Sequence, residues 1–285
     1  MLALSHGQWL HLCKAHSRTA RRSTCLTVRA TQGDDGRMSS DESTVLGRLL
    51  EELSWEGHER IKSAYRAGGR GQENVLAAEV LMPLDFLPRT SFLGEVLSAA
   101  HGADRARAAT AADVEQLRLS FLDQLYVPSR STPNKHAFEV QPDAQLISDQ
   151  SYVLVEAKRI RQAQFQAQQL SREYVTVAHH AADRVPLLLL ILGSEPPVKV
   201  DKHGRLDIGD AIRLSLEEIH AQVDFDLTLE EMYERVDDTW AWISWSEVAA
   251  IVAQQAEDFR NSDTSVDGCV RRLSAAVGRA IAWHS

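Results

Sequence analysis

Residues 138–158 read Phe138-Glu139-Val140-Gln141-Pro142-Asp143-Ala144-Gln145-Leu146-Ile147-Ser148-Asp149-Gln150-Ser151-Tyr152-Val153-Leu154-Val155-Glu156-Ala157-Lys158. β-Branched and aromatic residues flank a polar turn at Ser148-Asp149-Gln150, so residues 138–147 and 151–157 are expected to form the two strands of a hairpin. With the turn centred between Asp149 and Gln150, Asp143 faces Glu156 across the pair, their Cβ atoms roughly 5 Å apart. Side chains alternate along a strand, so Lys158 joins that face about 6.6 Å beyond Glu156, while Val153, Val155 and Ala157 face the other way. Two carboxylates and an ammonium converge.

Like charges opposite one another on a strand pair are destabilising, and such a carboxylate pair either shares a proton or recruits a cation. Hard oxygen donors at this spacing suit Mg²⁺, which keeps several waters in its shell. An ion so held acidifies a bound water and neutralises charge at a phosphoryl centre, and a neighbouring lysine can orient that water or steady the phosphate. The alternative reading of the same residues is a buried strand emerging into solvent at Glu156 and Lys158, with Asp143 in a turn.

At these positions the chain resembles the PD-(D/E)xK nuclease superfamily, the restriction-endonuclease-like proteins. Pro142-Asp143 matches the first half of the family signature and Glu156-Ala157-Lys158 the second. The resemblance implies an α/β fold, a restriction-endonuclease-like mixed central β-sheet flanked by helices. It further implies a Mg²⁺ ion (Mn²⁺ as substitute) held by Asp143, Glu156 and the Ala157 carbonyl, with Lys158 serving the attacking water, and DNA as substrate. A glutamate on a helix before the hairpin is a further metal-site residue in many such proteins. Glu95, the one charge in the apolar helical stretch 90–100, fits that place, with Glu79 and Glu115 as competitors and a solvent-facing carboxylate as the alternative. Gln169 and Tyr174 resemble the Gln and Tyr that follow the signature in RecB-type relatives, but their spacing is one residue longer and a Gln-rich helix surface is equally well read as solvated. The resemblance covers residues 90–192.

Working outward, the chain has 285 residues, 44% of them hydrophobic and 25% charged, which is ordinary for a globular protein able to bury a core. The longest apolar run, residues 185–192, is interrupted by Pro186 and is far too short to cross a membrane. Cys13, Cys25 and Cys269 are scattered and complete no zinc pattern, so a reducing, cytoplasmic setting is expected. A net charge of −9 excludes coating nucleic acid through bulk positive charge, so any DNA contact must be local. Candidates are Arg130 and Lys135 in the loop before the hairpin, and Arg159, Arg161 and Arg172 after it. A homodimer or a separate specificity partner is compatible with this reading.

Residues 1–37 carry six basic and two acidic side chains, a net +4 that leaves −13 for the rest. This basic leader, expected to be disordered, reads as a transit peptide, as a DNA-gripping arm, or as sequence upstream of a natural start at Met38. Residues 38–285 are expected to form one domain. Helices are expected from Ser43, from Asn74 up to the stop at Pro83, over 90–100 with Thr90 or Ser91 as cap, over 111–126, and over 159–182. Gly68 to Gly71 reads as a loop, 187–192 as a strand inside the sheet, and 194–210 as a loop or small hairpin around His203-Gly204. Helices over 216–223 and 229–236 then lead to a strand at 240–243. A further helix has Ser244 and Glu247 in capping-box spacing, and a last one covers 266–283. His179 and His180 diverge on a helix and do not share an ion, and Trp240, Trp242 and Trp245 are read as core rather than as a stacking platform.

Overall fold

The computed structural model describes residues 73–132, 135–161 and 164–285. The expected leader, the helix from Ser43 and the Gly68–Gly71 loop lie outside the described residues.

The architecture is mixed α/β, a five-stranded mixed sheet with helices on both faces. In chain order come helices α1 (Glu73–Phe86), α2 (Leu93–Ala99) and α3 (Asp104–Ala112), then strands β1 (Arg118–Phe121), β2 (Leu125–Pro128), β3 (His136–Val140), β4 (Ala144–Ile147) and β5 (Ser151–Ala157). After β5 follow α4 (Gln169–Ala181), β6 (Val185–Leu192), β7 (Val198–Val200), β8 (Gly204–Leu206), α5 (Ile208–Arg213), α6 (Leu216–Gln222), α7 (Leu229–Thr239), β9 (Trp240–Ser244), α8 (Trp245–Asp258) and α9 (Thr264–His284). The main sheet runs β1-β4-β5-β6-β9; β2-β3 and β7-β8 are separate two-stranded ribbons.

The β4–β5 hairpin has the register expected from its turn, with Ala144 opposite Val155 and Ile147 opposite Tyr152. Ser148 closes the turn, its Oγ accepting from the backbone N–H groups of Gln150 and Ser151. On the other side β5 runs parallel to β6, and β6 parallel to β9. Strand β6 is apolar throughout because both its faces are covered. One face carries Val153, Val155, Ala157, Leu189 and Ile191 and packs under α1, α2, α3, α8 and α9. The opposite face carries Tyr152, Leu154, Leu188, Leu190 and Leu192 and packs under α4 to α7. Alternation therefore sends Glu156 and Lys158 to the α4 face.

Several expectations are corrected. Residues 138–147 are not one strand, because β3 pairs with β2 in its own ribbon while β4 enters the main sheet. Pro142 sits at the break, where a residue without an N–H cannot continue a ladder. Residues 111–126 are not a helix: α3 ends at Ala112, a single 3₁₀ turn follows, and β1 pairs with β4. The apolar spacing of Val114, Leu117, Phe121 and Leu125 mimics a helix, but strand pairing prevails, and Leu122 adopts φ 56° between β1 and β2. Helix α1 does not stop before Pro83; it runs to Phe86 with Pro83 inside it, forgoing the bond a residue with an N–H would make one turn back. Neither Thr90 nor Ser91 caps α2, whose N-cap is Phe92; Thr90 spends its hydroxyl and N–H on Glu115 Oε1. Helix α4 starts only at Gln169, because Phe165 is extended and trades backbone hydrogen bonds with Lys199 and Asp201 beside β7.

Other expectations hold. The hairpin β7–β8 surrounds His203-Gly204, β9 follows α7, and Ser244 and Glu247 form a reciprocal capping box on α8. Trp245 is buried, while Trp240 and Trp242 pack against the core on the α4 face. No helix among the described residues is long and apolar enough to cross a membrane.

Candidate active site

Where β5 leaves the sheet, Glu156 and Lys158 are both 7% exposed. A side chain that charged is rarely buried without a partner. Lys158 Nζ donates to Glu156 Oε1 at 2.6 Å, and the lysine head also lies 4.9 Å from the centre of the Phe165 ring. Asp143, half-buried just before β4, accepts the Ala157 N–H on Oδ2 at 2.8 Å. That bond holds the aspartate beside β5 as the facing register requires. Beneath, Lys158 N donates to Ile191 O and the Trp245 indole N–H donates to Lys158 O at 2.8 Å, so the backbone of this strand end is pinned from both sides.

Helix α4 supplies the remainder. Gln169 Nε2 donates to Glu156 Oε1 at 2.6 Å and to Glu173 Oε1 at 2.8 Å, bridging two carboxyl groups. Glu173 is 3% exposed, and its Oε2 is buried with no hydrogen-bond partner. Burial pushes the Glu173 carboxyl well above the usual carboxylate range, Glu156 raises it further, and Lys158 and the Gln169 amide oppose the shift. A cleft of about 380 Å³ opens at this place, with Gln141, Gln169, Arg172 and Glu173 in its lining.

The structure thus brings together Asp143, Glu156, Lys158, Gln169 and Glu173. Glu95 lies solvent-exposed on α2. Its two competitors are engaged elsewhere: Glu79 is buried against His284 at 3.0 Å, and Glu115 caps the turn at Thr90. Among the cations, Arg130 and Lys135 are exposed in the β2–β3 loop, where the Arg130 N–H donates to Gln222 O. Arg159 and Arg161 are exposed just beyond Lys158, and Arg172 is half-buried, bonded to Gln168 and lying 5.6 Å from the Phe138 ring centre. His179 and His180 end α4 in edge-to-face contact, and burial lowers the pKa of both.

Glu173 is the residue that sequence reasoning missed. Its signal was present, since Leu170, Tyr174 and Val177 form the buried stripe of α4 and Glu173 interrupts it. The same argument selected Glu95 in its own helix.

Among the described residues, no three His, Cys, Asp or Glu side chains stand as a ready-made ion cage. The donor set nevertheless fits a hard cation. Mg²⁺ is usually bound through one or two carboxylates and retains water, Asp143 and Glu156 supply such oxygens, and Glu173 adds a buried oxygen without a hydrogen-bond partner. Compared with family models, with curated proteins and with solved structures, the chain matches none.

Proposed function

We propose that this chain is a metal-dependent nuclease of the PD-(D/E)xK type, built on a restriction-endonuclease-like sheet and hydrolysing DNA phosphodiester bonds in the cytoplasm. The observation that carries the reading is the cluster of Asp143, Glu156 and Lys158 at the end of one buried strand, with the unsatisfied Glu173 oxygen beside it. Asp143, Glu156 and the Ala157 carbonyl would hold Mg²⁺, with Glu173 alongside. When bound, the ion supplies Lewis acidity and lowers the pKa of a coordinated water.

The chain's own residues do the rest. Lys158 carries no lone pair when protonated, so its role is to hold the attacking water or a phosphate oxygen rather than to ligate. Gln169 orients Glu156 through a 2.6 Å bond, and Trp245 keeps the Lys158 backbone from shifting. Arg161 and Arg172, with Arg159, place positive charge next to the cluster in an otherwise acidic protein, which is where a phosphate backbone would be drawn.

A second reading keeps the scaffold without catalysis, as a module that binds nucleic acid or a partner in a defence or repair complex. One observation favours it: Glu156 Oε1 already accepts from both Lys158 and Gln169, an arrangement that also serves as a buried structural network. Cleavage of linear, circular and single-stranded DNA with and without Mg²⁺ separates the two. Metal-dependent cutting that is lost in Asp143→Ala supports the enzyme; intact substrates under all conditions overturn it.

A further inference from the structure

Past the ends of β5 and β6 lies a second cavity of about 490 Å³, walled by Phe165 and by the β7–β8 ribbon. Its charged lining residues are all cations, Arg161, Lys199 and Arg205, and Ser194 and Gln164 add neutral polar groups. In a chain of net charge −9 this is a concentrated positive site. Leu192 and Val198 form its apolar floor, while Arg161, Lys199 and Arg205 are exposed at its rim, where they can reach a ligand from solvent. Of the cations Arg205 is tethered, donating to Pro197 O at 3.1 Å, and the neighbouring Gln164 donates to Asp201 at 3.1 Å. Phe165 connects this cavity to the cluster described above, since Lys158 Nζ sits 4.9 Å from its ring centre. The segment that supplies Gln164 and Phe165 to this cavity continues into Gln168 and Gln169 of the first cleft, so one stretch of chain contributes to both.

We propose that this second cavity is a phosphate-binding subsite, which takes a phosphate group of the nucleic-acid strand beside the one that is hydrolysed; this rests on the nuclease reading of the neighbouring cluster. Two guanidinium groups can each present a planar fork to phosphate oxygens, a lysine adds a compact charge, and a serine hydroxyl can donate to a remaining oxygen. Pockets for small ligands run from about 300 to 1,000 Å³, so there is room for a phosphate with its nucleoside. A strand anchored there is held in register with Lys158, and contacts to phosphate fix position without reading sequence. This supplies the local attraction that the acidic surface as a whole lacks.

The test is titration calorimetry on the full chain without metal, using inorganic phosphate, thymidine 5′-monophosphate and thymidine as probes. Wild type should bind the two phosphate-bearing probes and not thymidine. Arg161→Gln/Lys199→Gln/Arg205→Gln should weaken that binding by about tenfold or more, the equivalent of about 1.4 kcal/mol. Ser194→Asp, a single exposed change that puts a carboxylate into the cavity, should do the same without touching the core. Arg279→Gln, an exposed change on α9 remote in the fold, should leave phosphate binding as it is. In cleavage assays the triple variant should raise KM for DNA more than it lowers kcat. Equal phosphate binding in wild type, the triple variant and Ser194→Asp would overturn the subsite, even if the wild type cuts DNA. Phosphate binding that is lost in those variants, in a protein that cuts nothing, would support the subsite and overturn the nuclease reading alone.

Discussion

Replacing Lys158 with methionine keeps much of the side-chain volume and removes the charge. In the folded protein the ammonium is 2.6 Å from Glu156 Oε1, with side-chain exposures of 8% and 9%. Near it stand Asp143 and Glu173, both of which act electrostatically on the same cluster. Breaking a buried pair by deleting one partner costs about 3–5 kcal/mol, because the remaining charge stays buried without compensation. The expected loss lies toward the lower end, since Gln169 still donates to Glu156. A domain of this size class shifts its midpoint by about 2–4 °C per kcal/mol, so a loss of about 3 kcal/mol lowers Tm by about 6–12 °C. Urea unfolding at neutral pH measures it. The decisive comparison is the double variant Lys158→Met/Glu156→Gln, which removes both charges and should recover most of the loss. If the double variant is as unstable as Lys158→Met, the loss comes from the ammonium's contact with the Phe165 ring and not from its pairing with Glu156, and the ion-pair account is wrong.

Glu173→Gln should change the pH dependence of stability. Folding raises the Glu173 pKa, so its contribution is fully present below the unfolded carboxylate value and is lost as pH rises through the folded one. Gln cannot ionise, and the metal-free variant should therefore gain progressively on wild type as pH rises above the ordinary carboxylate range in urea titrations; a constant difference refutes this. Asp143→Ala and Glu156→Ala should abolish cleavage and weaken Mn²⁺ binding, whereas Lys158→Ala should cut the single-turnover rate and leave Mn²⁺ binding nearly unchanged. Calorimetry beside cleavage distinguishes these, and metal loss in Lys158→Ala equal to that in Glu156→Ala would remove the lysine from catalysis. Gly193→Ala would place a Cβ 2.3 Å from Ile160 O and 2.6 Å from Arg159 O, both backbone atoms that cannot swing aside. It should destabilise by about 1–3 kcal/mol and displace the chain just past Lys158, with an unchanged denaturation midpoint as the contrary result.

The hairpin was legible because alternation, a polar turn and register constrain one another: once Ser148-Asp149-Gln150 is the turn, Asp143 must face Glu156. Strand β6 was legible from its unbroken apolar run, and α8 from Ser244 and Glu247. Residues 111–126 were not, because Val114, Leu117, Phe121 and Leu125 satisfy a helical period while the deciding interaction, pairing of β1 with β4, lies elsewhere in the chain. Sequence also placed two facing carboxylates in the site as a mutually repelling pair. With Glu156 bonded to both Lys158 and Gln169, its loss instead takes an ion-pair partner from a buried ammonium. The third carboxyl escaped notice because α4 was expected to start ten residues early, which blurred the stripe that Glu173 interrupts.

The cluster is also local in chain order. Its hydrogen bonds join residues 2, 4, 13 and 14 apart in sequence, whereas the bond that fastens its backbone from below, from Trp245 to Lys158, spans 87. Loops that short close at small entropic cost, so the hairpin and α4 can come together early in folding, before β9 and α8 have docked. The clustered side chains would then be assembled by nearest neighbours and made rigid later by a distant segment. A chain stalled between those stages would carry the right side chains in the right order on a strand end still free to move.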